Sequence, residues 1–302
     1  MAGRDPFTLI VFLVAVVIGG SNFVAVRFSN AELAPFWGAG LRFALAATLL
    51  LAASLAFRLR LPRGRPALTG AAIYGTLGFG LFYAFMYRAL VEAPAALGAV
   101  VIALVPLLTL LLAIAQGLEA FRWRGLAGAL VAAVGVAVVF ADQVGGAVGI
   151  GSLLALLAGA LCLAESAVAA KRYPRAHPIP YNAVAMVPGA VLLLVLSAVS
   201  GEPWSLPTRE ATWIALAYLV LIGSTALFVA FLFVLERWTA SATSYATVLF
   251  PIVAGVVGAA IAGEGVSPGL GLGGAIVIAG VYVGALAPAP AAPLPETAPR
   301  PS

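Results

Sequence analysis

The sequence predicts an all-α integral membrane protein whose ten transmembrane helices form two inverted five-helix repeats around a central cavity. Composition is the first reason, because 63% of the 302 residues are hydrophobic and only 9% are charged. A globular domain carries roughly 25% charged residues. The second reason is that the apolar residues fall into runs of bilayer-spanning length, about 20 residues each. The third is an internal repeat.

Ten apolar runs, separated by charges, prolines or glycines, define the predicted spans. They cover residues 7–28, 35–57, 67–90, 94–117, 124–141, 148–171, 179–199, 211–235, 240–262 and 269–286. The first run is longer than the roughly 7–15 apolar residues of a signal peptide, and more spans follow it, so we interpret it as a retained helix. The Pro- and Ala-rich stretch 287–302 predicts a disordered tail.

The basic residues predict the orientation. Arg42 and Arg88 lie within spans. Arg27, at the end of span 1, and Arg209, in a loop, lie on one side of the membrane, and the other 12 of the 16 Lys and Arg residues fall on the side of both termini. Cytoplasmic loops are enriched in Lys and Arg. Both termini are therefore expected in the cytoplasm, with the chain spanning a bacterial inner membrane. The tryptophans agree, because all five lie at span ends or in loops, where their rings favour the membrane interface.

The sequence contains few residues that could form a disulfide, a metal site or a nucleic-acid-binding surface. The single cysteine, Cys162, lies inside an apolar run, and the single histidine, His177, lies in a loop between two prolines. We therefore expect no intrachain disulfide, no metal site and no cofactor. No basic patch is interleaved with aromatic residues, so a nucleic-acid partner is not expected either. The expected partners are membrane lipid and a small-molecule substrate.

A shift of 145 residues aligns the second half of the chain with the first around spans 4–5 and 9–10. The matched pairs are Pro106 with Pro251, Glu119 with Glu264, Gly128 with Gly273, and Gly135 with Gly280. Because each half has five spans, an odd number, the second half enters the membrane from the opposite side. The repeats, residues 1–141 and 148–286, are thus inverted, an arrangement found in alternating-access transporters.

Two prolines are expected at the centres of spans 4 and 9. A proline inside a helix lacks an N–H and clashes with the carbonyl group four residues earlier. Pro106 and Pro251 would free the carbonyl groups of Ile102 and Thr247. The matched positions favour a pair of hinges or cavity walls, and a simple packing kink is the alternative.

The stretch PFWGAGLR from Pro35 to Arg42, together with the matched Pro, Glu and Gly positions, resembles the drug/metabolite transporter superfamily in its ten-span form with two EamA-type repeats. The resemblance covers residues 7–286. Within the superfamily, the chain looks most like bacterial amino-acid exporters, including those for aromatic amino acids. It implies a cavity lined mainly by spans 1, 3, 4, 6, 8 and 9. Spans 5 and 10 would support this cavity from outside.

Polar and aromatic residues within these spans are candidates for substrate binding. The candidates are Ser21, Asn22, Phe79, Tyr83, Tyr87, Phe228, Ser244 and Thr247. Ser21 and Asn22 follow two glycines in span 1, and the amide of Asn22 needs a partner within lipid. Phe79, Tyr83 and Tyr87 recur every four residues and so share a helix face. The alternatives are interhelical hydrogen bonding for Asn22, packing for the aromatic residues, and bonds to the preceding helical turn for the hydroxyls of span 9.

Charged residues near the membrane interior are scarce. Arg42 lies about 10 Å into span 2 at a rise of about 1.5 Å per residue, and we expect it to reach the interface or to bind carbonyl groups. Glu165 is expected either to pair with Lys171 and Arg172 or to act as a coupling carboxylate. Glu119 and Glu264 close their spans and are expected to be structural.

The sequence favours a secondary transporter of neutral or zwitterionic metabolites, and we expect it to export amino acids. It has no intramembrane Asp, no cluster of acids for a proton relay and no paired basic residues for a phosphate ester. A membrane-embedded lipid-modifying enzyme and a structural membrane protein are the alternatives. Gly280 and Gly284 form a pair of small residues that suits either helix packing or a weak dimer.

Overall fold

The computed structural model describes residues 5–90, 101–139, 149–174, 177–262 and 268–286. These segments form ten helical spans: α1 (Pro6–Ser29), α2 (Pro35–Ala56), α3 (Arg65–Gly75, Thr76–Leu81 and Phe82–Leu90), α4 (Val105–Ala115), α5 (Trp123–Val139), α6 (Ile150–Arg172), α7 (Pro178–Val199), α8 (Glu210–Val220, Leu221–Ala226 and Leu227–Arg237), α9 (Ala240–Ser244 and Ala246–Ala262) and α10 (Pro268–Val281 and Tyr282–Leu286).

The ten-helix prediction is confirmed. Each predicted span contains one helix of the described chain, and seven helices are long and apolar enough to cross a membrane. The others, α4, α5 and α10, are shorter apolar helices. Several helix starts follow from the sequence: α1, α2 and α7 each open on a proline, whose missing N–H costs nothing in the first turn.

Two π-helical turns interrupt the long helices α3 and α8. They cover Thr76–Leu81 and Leu221–Ala226, so that each begins and ends 145 residues from its counterpart. In α8, Thr225 Oγ1 donates a hydrogen bond of 2.9 Å to the Val220 carbonyl five residues earlier. A π turn holds one residue more than an α turn and often marks a functional site. The repeat thus extends to a local distortion of the backbone.

Helix packing divides eight of the helices into two bundles. In the first bundle, α1 packs against α8 and α9, and α2 against α8; in the second, α6 packs against α3 and α4, and α7 against α3. The two sets of contacts are related by the repeat, in which α1 and α2 correspond to α6 and α7, and α8 and α9 correspond to α3 and α4. The bundles meet where α2 packs on α7, and a separate pair is formed by α5 and α10. We call the side at which α1 begins the terminal face, and the other side the far face.

Small residues hold α5 against α10. A Cβ atom on Gly280 would lie 2.5 Å from the Ala132 backbone nitrogen, and one on Gly128 would overlap the backbone of Gly284. The two backbones can approach this closely only because these positions are glycines. Of the two interpretations open for Gly280 and Gly284, helix packing within the chain is the one that the structure shows.

The sequence predicted that Pro106 lies in mid-helix, but in the structure it does not. The chain turns at Ala103 and Leu104, where the Leu104 N–H donates to the Val101 carbonyl at 3.0 Å, and Pro106 then lies in the first turn of α4. The turn places the proline where no helical N–H bond is required. Pro251, by contrast, lies inside the helix Ala246–Ala262. The matched prolines therefore occupy different local structures.

Candidate substrate site

A backbone carbonyl group in the π turn of α8 organises the centre of the first bundle. Asn22 Nδ2 on α1 and Arg42 Nη2 on α2 donate to the same acceptor, the Gly223 carbonyl oxygen, at 2.9 and 2.8 Å. Arg42 Nε donates to Ser224 Oγ at 2.6 Å. Arg42 is only 3% exposed. It therefore binds backbone and hydroxyl oxygens at depth and does not reach the interface.

Gly223 must be a glycine for this arrangement to form. A Cβ atom there would fall on the Asn22 carboxamide. The repeat preserves the contact, because the counterpart Gly78 in the π turn of α3 lies against Ser166 on α6. A Cβ atom on Gly78 would lie 3.0 Å from Ser166 Oγ. Asn22 and Gly223 thus correspond to Ser166 and Gly78.

Two aromatic rings lie beside the Arg42 guanidinium. The guanidinium Cζ lies 5.1 Å from the centroid of the Phe43 ring and 5.8 Å from that of Tyr83. We call the following set the central cluster: Arg42, Phe43, Phe79, Tyr83, Tyr87 and Phe228. Its rings contact one another edge-on or tilted, with Phe79 and Phe228 centroids 4.6 Å apart and Phe43 and Tyr83 centroids 5.0 Å apart. Such pairs are favoured by the ring quadrupoles.

The central cluster joins the two bundles at mid-span. Phe43 on α2 and Phe228 on α8 belong to the first bundle, and Phe79 and Tyr83 on α3 belong to the second. Phe43 and Phe79 are fully buried, whereas Tyr83, Tyr87 and Phe228 are half-buried. The half-buried rings keep part of their surface exposed, and Phe79 packs against one of them, Phe228.

The other predicted site residues lie outside this cluster. Ser21 Oγ donates to the Val17 carbonyl, and in α9 the hydroxyls of Ser244 and Thr247 donate to carbonyls three residues earlier. These are bonds to the preceding helical turn. Ser21 also lines a groove of about 420 Å³ within the first bundle, with Val24, Ala25, Phe28, Ala211, Ile214, Ala215, Tyr218 and Val257. Five of the eight candidates, Asn22, Phe79, Tyr83, Tyr87 and Phe228, thus gather around Arg42.

Two polar contacts tie the bundles together at the terminal face. Lys171 Nζ, at the end of α6, donates to the carbonyl oxygens of Leu235 at 2.6 Å and Trp238 at 2.9 Å, at the end of α8. A cation at a helix C-terminus satisfies carbonyl groups that have no helical partner. Glu119, after α4, accepts hydrogen bonds from the backbone N–H and the hydroxyl of Ser241 at the start of α9.

Glu165 lies in a polar chain on the same side. Gln116 Nε2 donates to both of its carboxylate oxygens, at 2.9 and 2.8 Å, and Arg172 Nη1 donates to Gln116 Oε1 at 3.1 Å. The expected association with Arg172 is therefore made through Gln116. Lys171 instead contacts α8. This chain of hydrogen-bonded side chains joins α4 to α6 within the second bundle.

Two carboxylates organise the loops of the far face. Glu202 accepts from the backbone N–H groups of Phe36 and Trp37 at the start of α2, at 3.1 and 2.8 Å. Glu32 accepts hydrogen bonds from Thr208, and this contact is the largest of those that lower the pKa of Glu32 to about 2. Its carboxylate therefore stays ionised at physiological pH.

The two bundles contact each other at the terminal face. There α8 contacts α6, and the first turn of α9 contacts both α4 and α6. At the far face the counterparts of α8 and α6 are α3 and α1.

The role of Arg42 at the centre of the site was not predicted. Carbonyl binding was one of the two alternatives that the sequence left open for this residue, and the acceptor was not identified because it belongs to a π turn. One signal was available: Gly78 and Gly223 are also 145 residues apart, and matched glycines indicate matched close approaches of the backbone.

Two inverted five-helix units, whose helices exchange between two bundles around a mid-span polar and aromatic cluster, define a membrane transporter of the inverted-repeat class. The sequence profile of the EamA-like transporter family matches residues 6–141 and 149–285, so the chain belongs to that family. The family lies within the superfamily that the sequence resembles.

Known proteins of similar sequence and fold agree with this assignment. The chain is 30% identical over 261 residues to the "Uncharacterized inner membrane transporter YedA" of Escherichia coli strain K12, covering 83% of this chain and 81% of that protein. The same protein of the O157:H7 strain matches equally. One crystal structure superposes with a TM-score of 0.79 at 21% identity, over 93% of this chain and 96% of its own. That likeness concerns the fold.

Proposed function

We propose that this transporter exports small neutral or zwitterionic metabolites, foremost amino acids with apolar or aromatic side chains, across the inner membrane by alternating access. One observation carries the proposal: the buried cation of the described segments, Arg42, lies beside the rings of Phe43 and Tyr83 in an aromatic cluster that joins the two bundles. Aromatic walls with a few convergent polar groups are typical of sites for small organic solutes. Both termini are cytoplasmic in this proposal, on the strength of the 12-to-2 distribution of basic residues.

The contacts at the terminal face support alternating access. With the terminal face in the cytoplasm, the contacts of Lys171 and Glu119 close the inner side. Exchange of this arrangement between the two repeats would close the outer side instead and generate the inward-open state. Such symmetry exchange is how inverted repeats permit rocking of one bundle against the other.

Reconstitution tests the proposal. Liposomes that contain the purified protein should release preloaded labelled L-phenylalanine and L-leucine faster than protein-free liposomes do. They should release L-lysine and a sugar phosphate no faster than protein-free liposomes do. Chemical analysis of the released solute should show it unchanged. A modified solute or lipid would favour the enzyme alternative, and equal release of all solutes would contradict a selective carrier.

Direction is tested in cells. Cells that express the protein should accumulate less labelled L-phenylalanine than cells that express an equal amount of the Tyr83→Ala variant, because export lowers the intracellular pool. Greater accumulation in the wild type would indicate import. That outcome would leave the transport proposal standing and overturn the direction.

A further inference from the structure

The Arg42 guanidinium uses only one of its two hydrogen-bonding edges. Nε and Nη2 form the edge that faces α8, and they donate to Ser224 Oγ and the Gly223 carbonyl oxygen. The other edge consists of Nη1 and the second N–H of Nη2. Within the described segments it donates to no protein acceptor. A guanidinium edge presents two parallel N–H groups at the spacing of the two oxygens of a carboxylate.

No described carboxylate compensates the charge of Arg42. The carboxylates of the described segments are engaged at the helix ends and loops: Asp5 with the start of α1, Glu32 with Thr208, Glu119 with Ser241, Glu165 with Gln116, Glu202 with the start of α2, and Glu236 with Arg237. Glu210 lies in the first turn of α8. A buried ion without a partner of opposite charge is unfavourable. The site thus favours an anionic group from elsewhere.

The cation is not needed to form the π turn that it contacts. The second repeat places Ala185 at the position of Arg42, because α2 and α7 both open on a proline, 143 residues apart. Phe79 stands at the position of Ser224. The π turn Thr76–Leu81 nevertheless forms. The contact with Asn22 therefore explains why position 223 is a glycine, but formation of the π turn does not explain why position 42 is an arginine.

We propose that Arg42 binds the carboxylate of the transported solute through its Nη1–Nη2 edge, which makes the solutes carboxylic acids with apolar or aromatic side groups. The inference rests on the transport function proposed above and adds its charge requirement. Tyr83, whose ring lies beside the guanidinium, supplies the apolar surface for the side group. A solute without the carboxylate keeps this apolar contact and loses the paired hydrogen bonds.

Three related probes separate the contributions. L-Phenylalanine carries carboxylate and ammonium groups, L-phenylalaninamide lacks the carboxylate, and 3-phenylpropionate lacks the ammonium. In proteoliposomes, 3-phenylpropionate should inhibit labelled L-phenylalanine flux at a concentration about tenfold or more below that needed for the amide, which corresponds to the loss of a charge-assisted pair. This comparison uses the wild-type protein and needs no variant.

Substitution then locates the group. Arg42→Gln should remove the preference for the acid over the amide, and Arg42→Lys should retain part of it, because a point charge replaces the two-donor edge. Arg209→Gln, which removes a positive charge from a far-face loop, is the matched control and should retain the preference. Size-exclusion chromatography verifies the fold of each variant.

The outcomes distinguish the two proposals. Equal inhibition by acid and amide, or a preference that persists in Arg42→Gln, overturns the role of Arg42 while flux still supports transport. Failure of the wild type to carry L-phenylalanine or any other carboxylic acid, with flux of neutral solutes, overturns the carboxylate requirement alone. Absence of flux for every probe overturns both proposals.

Discussion

Lys171 Nζ donates a hydrogen bond of 2.6 Å to the Leu235 carbonyl oxygen, and this contact joins the end of α6 to the end of α8 across the two bundles. Its repeat counterpart is Arg27 at the far face, 144 residues earlier. A cation at the end of α6 therefore helps to hold the two bundles together at the terminal face.

Lys171→Gln should loosen the terminal face, because the carbonyl oxygens of Leu235 and Trp238 lose their cationic donor. In a Cys162→Ser background, a cysteine at the buried position Ala242 should react faster with a polar maleimide when Lys171 is replaced. Arg237→Gln, which removes an exposed cation from the same end of α8, is the control and should leave the labelling rate unchanged. Equal rates in all three proteins would show that Lys171 does not hold the face closed.

The glycines of the two π turns provide a matched pair. Gly223→Ala should destabilise the protein strongly, because its Cβ atom would overlap the Asn22 carboxamide that binds the Gly223 carbonyl. Gly78→Ala should be mild, since its Cβ atom meets the Ser166 hydroxyl at 3.0 Å and that side chain can rotate. Melting temperatures of the purified variants test this order. A larger loss in Gly78→Ala would contradict the assigned contacts.

The matched prolines should respond differently. Pro251→Ala should leave the protein folded and change its transport rate, because the freed Thr247 carbonyl regains a helical hydrogen bond and α9 straightens. Pro106→Ala should change the rate much less, because Pro106 lies in the first turn of α4. Flux per folded molecule tests both variants. Wild-type kinetics in Pro251→Ala would mean that the kink serves packing alone.

Tyr83 tests the solute-binding role of the central cluster. Tyr83→Ala should lower flux per folded molecule, whereas Tyr83→Phe should be milder because it keeps the ring and its apolar contact. Tyr282→Ala removes an exposed tyrosine of α10, far along the chain from the cluster, and serves as the control. If flux falls only in proportion to the loss of folded protein in Tyr83→Ala, the residue is structural.

Reporter fusions test the orientation. Fusions at Gly64 and His177 should report a cytoplasmic location, and a fusion at Gly145 should report an external one, since cytoplasmic loops carry the excess of Lys and Arg. Gly145 itself lies outside the described residues, as does Glu264. A cytoplasmic Gly145 together with an external Gly64 would reverse the assignment of faces.

Helix positions could be predicted from the sequence because bilayer thickness fixes the length of each apolar run. The break before Pro106 could not be predicted, since the same proline is compatible with a kinked helix or with a helix start. The π turns were hidden for a similar reason: an extra residue in one turn leaves the apolar pattern of a span unchanged. Only the spacing of Gly78 and Gly223 carried a trace of them.

The candidate site was predicted in part. Aromatic residues on one face of span 3 indicated a cluster, and Phe79, Tyr83 and Phe228 each contact the ring of Phe43. The hydroxyls of Ser244 and Thr247 instead bond to their own helix, because a helical carbonyl is always within reach of a Ser or Thr side chain. For Arg42 the sequence left two alternatives open, reaching the interface or binding carbonyl groups, because its partner depends on how α2 packs on α8, which no local pattern specifies.

The most direct test of the account is exchange across the membrane. A carrier that alternates between two faces returns faster when loaded, so labelled L-phenylalanine should enter proteoliposomes faster when unlabelled L-phenylalanine is present inside them than when it is absent. Protein-free liposomes should show no such acceleration. Uptake that is independent of the internal solute, or equal to that of protein-free liposomes, would contradict alternating access by this protein.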